Sequence, residues 1–209
     1  MKELKEKSIW LLYKIVCKSG HKTKVPVSTF TGKLTGTSNN YSNTWTDYNT
    51  AISNVNKYGA DGVGFVIPTG YFMIDIDKKS IDNPLVKTML DRFDTYAEYS
   101  QSGNGIHIYG KCDLSKLLVD DIKSKLKYYM KNSKLNLELY IGGCTNRFAV
   151  FTGNTIKDIP LNDCTDALLE TLNNEMLKAN TNDKANEIIS ALRTQKNANK
   201  LNDLFNGKF

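Results

Sequence analysis

The chain has 209 residues, 40% of them hydrophobic and 24% charged. These proportions fit one globular domain with a short appendage and exclude a disordered or low-complexity chain. The formal net charge of +6 is uneven: residues 1–34 hold eight lysines against Glu3 and Glu6, and residues 111–134 hold seven lysines against three aspartates. Such basic segments suit a polyanionic partner, although a run of lysines is equally a solvated face.

At the N-terminus, Ile9, Trp10, Leu11 and Leu12 form a short apolar stretch that Lys14 and Lys18 interrupt. It has neither the length of a membrane span nor a small-residue cleavage site, so a cytoplasmic protein without a membrane partner is expected. The polar stretch 35–44 reads as a loop. Tyr48, Ala51, Ile52 and Val55 then recur at helical spacing. The apolar runs 62–67 and 71–76 are separated only by Pro68-Thr69-Gly70, which predicts a β-hairpin. Asn83-Pro84 predicts a helix start with Val86, Met89, Leu90 and Phe93 buried. Beyond a glycine-rich turn comes a strand, 105–109. Asp113 then suits the cap of a helix carrying Leu117, Leu118, Ile122 and Leu126. Strands over 135–141 and 147–152, joined through Gly142-Gly143, predict a second hairpin. A helix follows over 165–178, buried through Leu168, Leu169, Leu172 and Met176.

Residues 179–183 are polar and linker-like, and helical spacing resumes over 184–206 with too little apolar surface for a separate core. The expected organisation is therefore a domain over 1–178 and a helical tail over 179–209. That tail either docks on the domain or begins a further helical one. The element order predicts an α+β fold in which helices cover one side of an antiparallel sheet.

Asp75 and Asp77 are two apart in the most apolar strand, so their carboxylates share a face and repel unless a cation lies between them. Oxygen ligands favour magnesium or manganese, whereas acids at a solvated strand end would need no metal. His107, in S-G-N-G-I-H-I-Y, is one of only two histidines. Gly103 and Gly105 allow a close backbone approach to a ligand, and a histidine beside them suits phosphate; a satisfied core histidine is the plainer reading. Glu138 is the only charge in L-N-L-E-L-Y-I and must be paired, ligate a metal or face water. Arg147 begins the next strand, where its planar fork suits a phosphate or a surface acid. Cys17, Cys112, Cys144 and Cys164 are scattered without a C-x-x-C pair, so free thiols and no zinc are expected.

Taken in order, Y-F-M-I-D-I-D, S-G-N-G-I-H and L-E-L-Y resemble the three motifs of the archaeo-eukaryotic primase superfamily. T-W-T-D-Y-N-T-A-I, D-G-V-G-F-V-I, Y-A-E-Y-S-Q-S-G-N-G-I-H-I and N-R-F-A-V-F-T-G-N are similar to primase-polymerase domains of phages and plasmids. The resemblance spans about residues 22–154 and implies a catalytic core with an RRM-like sheet. It implies DNA-templated nucleotidyl transfer, with two magnesium or manganese ions held by Asp75, Asp77 and Glu138. It also implies nucleotide binding by His107 and Arg147, with Ser102, Gly105 and Lys24 beside them and Lys22 a weaker candidate. Glu98 is either a supporting residue or a salt-bridge partner. Single-stranded DNA and nucleoside triphosphates are the implied partners, and a helicase, fused or separate, is a further one. The tail resembles the start of a helical segment, and the chain has no Walker motif.

Two departures stand out: the third acid is Glu138 where many members have aspartate, and Ser100-Gln101-Ser102 stands where Ser-Pro-Ser is expected. A polymerase-β-type nucleotidyltransferase also uses D-x-D and a third acid, but Pro68-Thr69-Gly70 stands where it expects Gly-Ser on a helix. A rolling-circle initiator needs a His-x-His pair that is absent. A non-catalytic nucleic-acid-binding module on the same scaffold would not need the acids.

Overall fold

A computed structural model describes residues 1–18 and 20–178 of the chain. The chain divides into two compact units, Met1–Met176 and Leu177–Phe209, and the fold is that of the first. The expected tail and its helix over 184–206 lie outside the described residues.

A short helix α1 (Lys2–Lys5) precedes β1 (Trp10–Lys18) and β2 (His21–Val27). A 3-10 turn over Asn39–Thr44 leads to α2 (Tyr48–Ser53), β3 (Gly62–Val66) and β4 (Tyr71–Asp77). Next come α3 (Pro84–Arg92), β5 (Ala97–Tyr99), β6 (Gly105–Lys111) and α4 (Val119–Ser124). The unit closes with β7 (Lys131–Asn132), β8 (Leu137–Ile141), β9 (Phe148–Phe151), β10 (Thr155–Lys157), α5 (Thr165–Thr171) and a π turn, Leu172–Met176.

The expected α+β class holds, with antiparallel pairing between all the named strands, but the strands form two sheets where one was expected. One has the order β2-β1-β3-β9 and the other β10-β5-β6-β4-β8-β7. Both expected hairpins are corrected. β3 pairs with β1 and β9, while β4 pairs with β6 and β8. Pro68-Thr69-Gly70 and the link 142–147 are therefore corners at which the chain passes from one sheet to the other. The two corners pack together: Gly142 N–H donates to Tyr71 O at 2.8 Å. A Cβ on Gly142 would sit 1.9 Å from Pro68 O, so only glycine fits there. The pairs β3–β9 and β4–β8 are thus one antiparallel ribbon, bent once.

Alternation along β4 separates two environments. Phe72, Ile74 and Ile76 join Val86, Met89, Leu90, Leu168 and Leu172 in a core between the six-stranded sheet and the helices. Asn83 caps α3 through Leu85 N, with Pro84 at the first turn, and Val86, Met89, Leu90 and Phe93 are buried as expected. The expected helix after Asp113 is shorter than its spacing suggests. Asp113 caps a turn through Ser115 N, and α4 starts only at Val119. Leu117 and Ile122 are buried there, but Leu118 and Leu126 are exposed.

Met73 faces the other way, into a core with Trp10, Phe65, Tyr109, Ala149 and Phe151. The edge strand β9 leans on this face. Val150 O lies 2.9 Å from the Tyr109 hydroxyl, and the N–H groups of Thr152 and Gly153 donate to Glu98. The four-stranded sheet so stands on the six-stranded one along its β9 edge. Ala149 and Phe151 point to the apolar side of that junction, and Phe148 and Val150 to a cleft on the other side.

Candidate active site

The register of the six-stranded sheet aligns polar residues from every strand in one row. Thr155 pairs with Glu98, Glu98 with His107, His107 with Asp75, Asp75 with Glu138, and Glu138 with Lys131. Directly opposed residues of antiparallel strands share a face. Asp75, His107 and Glu138, from three separate motifs, therefore stand side by side on the cleft face. Asp77 is on the same face two residues along, opposite Gly105.

The cleft has a volume of about 400 Å³. Met73, Asp75, His107 and Tyr140 line it from the six-stranded sheet, and Lys24, Pro26, Phe148 and Val150 from the four-stranded one. Arg147, at the end of the corner leading into β9, completes the wall with Asn146 and Thr37. Of the residues expected to bind nucleotide, His107, Arg147 and Lys24 meet in this one cleft. Ser102 does not: it lines a separate cavity with Tyr13, Tyr48 and Asp61. Gly105 packs on the neighbouring strand, where a Cβ would meet Ile76 O at 2.6 Å. Close strand packing by itself calls for glycine at this position. Asp77 and Glu138 lie outside the cleft lining.

Asp75 sits between opposing influences. Burial raises its carboxyl to about 6, helped by Asp77 and Glu138, while His107 and Lys24 pull it down. Its Oδ1 is 3.8 Å from His107 Nε2, beyond hydrogen-bond range. That oxygen is the buried polar side-chain atom that lacks a hydrogen-bond partner among the described residues. Glu138 differs: burial acts to raise its carboxyl, but hydrogen bonds from Lys131 and Tyr140, with the charges of Lys131 and Arg147, lower it overall. The Arg147 guanidinium lies 5.9 Å from the centre of the Tyr140 ring.

His107 is 3% exposed and Glu98 is fully buried. His107 Nδ1 is 3.3 Å from Glu98 Oε1, so the imidazole edge carrying Nε2 faces Asp75 and the cleft. Burial, with the charge of Glu98 and a hydrogen bond to it, pushes the Tyr96 and Tyr109 hydroxyls up, so both remain protonated donors.

The donor set suits a hard cation, because the partnerless Asp75 Oδ1 is the kind of buried oxygen that a divalent ion satisfies. Among the described residues, however, no three carboxylate, histidine or thiol groups are gathered into a ready metal cluster. Glu138 is engaged by Lys131, which an ion would have to displace.

Three contributors escaped the sequence reading in these roles. Lys131 lies in a two-residue strand and Tyr140 looked like part of an apolar run. Tyr109 had no distinguishing signal. Glu98, expected as a supporting residue or a salt-bridge partner, stands beside His107 with hydrogen bonds from Tyr96, Tyr109, Thr152 and Gly153.

No family model matches the chain. Over 146 residues, 66% of this chain, it is 30% identical to a DNA primase-polymerase of Nitratiruptor phage NrS-1. The matched segment spans 19% of that protein's length. This similarity supports a primase-polymerase domain of the phage type, in line with the resemblance carried by the three motifs. Among the described residues no helix is long and apolar enough to cross a membrane.

Proposed function

We propose that this chain performs DNA-templated nucleotidyl transfer, making or extending primers in the replication of phage, plasmid or other mobile-element DNA. One observation carries the reading: the acid, histidine and acid of the three motifs fall in one row, beside a cleft lined by Lys24 and Arg147. Asp75, Asp77 and Glu138 would hold divalent ions, magnesium or manganese. When bound, such ions stabilise charge on the attacking and leaving oxygens of a phosphoryl transfer. Lys24, Arg147 and the Nε2 edge of His107 would take the triphosphate, since arginine's planar fork matches its oxygens. The lysines of 111–134 would track single-stranded template through its phosphates. A helicase partner, fused or separate, and action in the cytoplasm belong to the same proposal.

The capping of Glu138 by Lys131 and the absence of a ready metal cluster among the described residues favour a second reading. In it the domain binds nucleic acid or nucleotide without catalysis. Incorporation of labelled nucleotides on a primed DNA template, with and without magnesium or manganese, decides between them. Metal-dependent incorporation that disappears in Asp75→Ala supports the first reading. DNA binding without incorporation supports the second.

A further inference from the structure

We propose that Glu98 is a positioning residue. It keeps a proton on His107 Nδ1, so that the second proton the imidazole takes up lies on Nε2, from which the imidazolium donates to phosphate oxygens in the cleft. The role in phosphate binding rests on the proposed function; the tautomer does not.

The argument begins with burial. Glu98 is a fully enclosed carboxylate in a three-residue strand, where an ionised group persists only if it is well hydrogen-bonded. Five groups surround it. His107 Nδ1 at 3.3 Å, Tyr109 Oη at 3.1 Å and Thr152 N–H at 3.1 Å approach Oε1. Tyr96 Oη at 3.2 Å and Gly153 N–H at 2.9 Å approach Oε2. An ionised carboxylate only accepts. The two backbone N–H groups can only donate, and the Tyr96 hydroxyl also donates to it.

His107 Nδ1 is the member whose role is open. Tyr109 has one hydroxyl proton and three acceptors within reach: Glu98 Oε1, Val150 O and Nδ1 itself. Were Nδ1 bare, its lone pair would face a carboxylate oxygen at 3.3 Å in a buried site, whichever acceptor Tyr109 chose. Placing the proton on Nδ1 removes that repulsion and makes a charge-assisted bond. Any further proton then goes to Nε2, on the cleft side. The ring's polarity towards the cleft is thus set from behind, as carboxylate partners set the tautomer of metal-bound histidines.

Glu98 also ties the cleft together. It sits on β5, its histidine on β6, and its two backbone donors just beyond β9. One carboxylate therefore fixes the histidine on the floor and the strand that bears the opposite wall. A structural role alone predicts only loss of stability when it is removed. The positioning role predicts a defined tautomer as well.

The chain has two histidines, His21 and His107, so His21→Gln leaves one imidazole to observe by ¹⁵N NMR. In this protein, without metal and at a pH where the imidazole is neutral, His107 should show a protonated Nδ1 and a bare Nε2. The opposite tautomer overturns the proposal, and this needs no Glu98 variant to fold. Inorganic tripolyphosphate with magnesium is the second probe. Glu98→Gln should shift the His107 tautomer and weaken tripolyphosphate binding by about tenfold, the lower end of what losing an outer carboxylate partner of a histidine costs. Tyr96→Phe removes one bond to Glu98 without touching His107, and should leave both readouts unchanged. A folded Glu98→Gln that keeps tautomer and affinity, or a Tyr96→Phe that loses as much, reduces Glu98 to a structural tie and overturns the proposal. Failure of the wild type to bind tripolyphosphate overturns the phosphate-binding half together with the proposed function. The tautomer half then stands or falls on the NMR result.

Discussion

On the six-stranded sheet the cleft face carries Glu98, Asp75 and Glu138 in one row, with Asp77 two residues along. The facing wall brings Lys24 from β2 and Arg147 from the corner before β9. Among the residues that line the cleft, the acid Asp75 and the cations Lys24 and Arg147 therefore come from different walls, while Lys131 on the acidic sheet is taken up by Glu138, and His107 lies in the row between Glu98 and Asp75. The difference teaches a division of labour. A surface of carboxylates suits cations and repels a triphosphate; a surface of lysine and arginine does the reverse. Bringing the cationic wall up to the Asp75 part of the acidic row allows each to serve the part of a metal–nucleotide complex that the other would reject. The division can be broken one side at a time.

The largest effect is expected on the acidic side. Asp75→Asn should reduce incorporation more than about a hundredfold, about 3 kcal/mol of barrier. It should also stabilise the metal-free fold. The Asp75 carboxyl is raised from 3.8 to about 6 in the folded state, chiefly by burial. A raised carboxylate penalises folding above its folded value, and the penalty disappears as pH falls below the unfolded value. The gain from Asp75→Asn should thus be full above about pH 6, on the order of 2–3 kcal/mol, and vanish towards about pH 4. Chelator-treated protein melted across this range gives the answer. A destabilised Asp75→Asn at neutral pH would mean that the carboxylate is held by favourable contacts.

The cationic side should fail differently. Arg147→Ala and His107→Ala each remove a charge-assisted contact of about 1.5–3 kcal/mol, so the nucleotide requirement should rise tenfold or more while DNA affinity holds. Nucleotide titration of incorporation, paired with DNA binding without nucleotide, separates the two. Equal losses in both would place these residues on the template or in the fold, and the division between the walls would be wrong.

These contrasts were only partly legible in the sequence. The alternation in Y-F-M-I-D-I-D gave the strand, its face and its paired acids, because period-two burial is a local property. Val86, Met89, Leu90 and Phe93 showed the buried side of α3 for the same reason, with helical period. Pairing was not local. Pro68-Thr69-Gly70 and Gly142-Gly143 announce that the chain bends, but turn composition does not say which sheet the next strand joins. Both bends were read as hairpins, and the bent ribbon that brings Arg147 to the cleft was missed. Glu98 was legible only as an acid close to the histidine turn, a supporting residue or a salt-bridge partner. Its partners, Tyr109 and the N–H groups of Thr152 and Gly153, lie 11 to 55 residues away, so the carboxylate cage appears only in three dimensions. Lys131 lies in a two-residue strand too short for any periodic signal.

Lys131 offers a finer test of the acidic side. It neutralises Glu138 where a metal ion would be needed, yet its side chain is 65% exposed. Glu138 is only 14% exposed, but solvent screening on the lysine side keeps the pair to about 1 kcal/mol, so Lys131→Met should tighten manganese binding by about fivefold. Titration followed by the manganese EPR signal measures this directly. Weaker binding in the variant would show that Lys131 supports the site.

The smallest effect is expected from ending the chain after Lys178, because the first unit closes on itself before that point. Met176 is fully buried among the helices behind the six-stranded sheet, and its carbonyl accepts from Tyr129 N–H at 2.7 Å. Glu175 makes a two-pronged pair with Arg92 at 2.8 and 3.0 Å, and its carbonyl accepts from the Asn132 amide. These contacts hold the end of the π turn to α3 and β7 with groups that all precede residue 177. The acidic row and the cationic wall likewise draw on no residue beyond Thr155. Primer extension and melting temperature should therefore be unchanged in the shortened protein, whereas initiation without a primer, which needs more contacts to the first nucleotide and the template, is the activity that the tail can affect. A shortened protein that is folded but has lost extension would place part of the active site in 179–209, and the two-walled cleft would be an incomplete account of it.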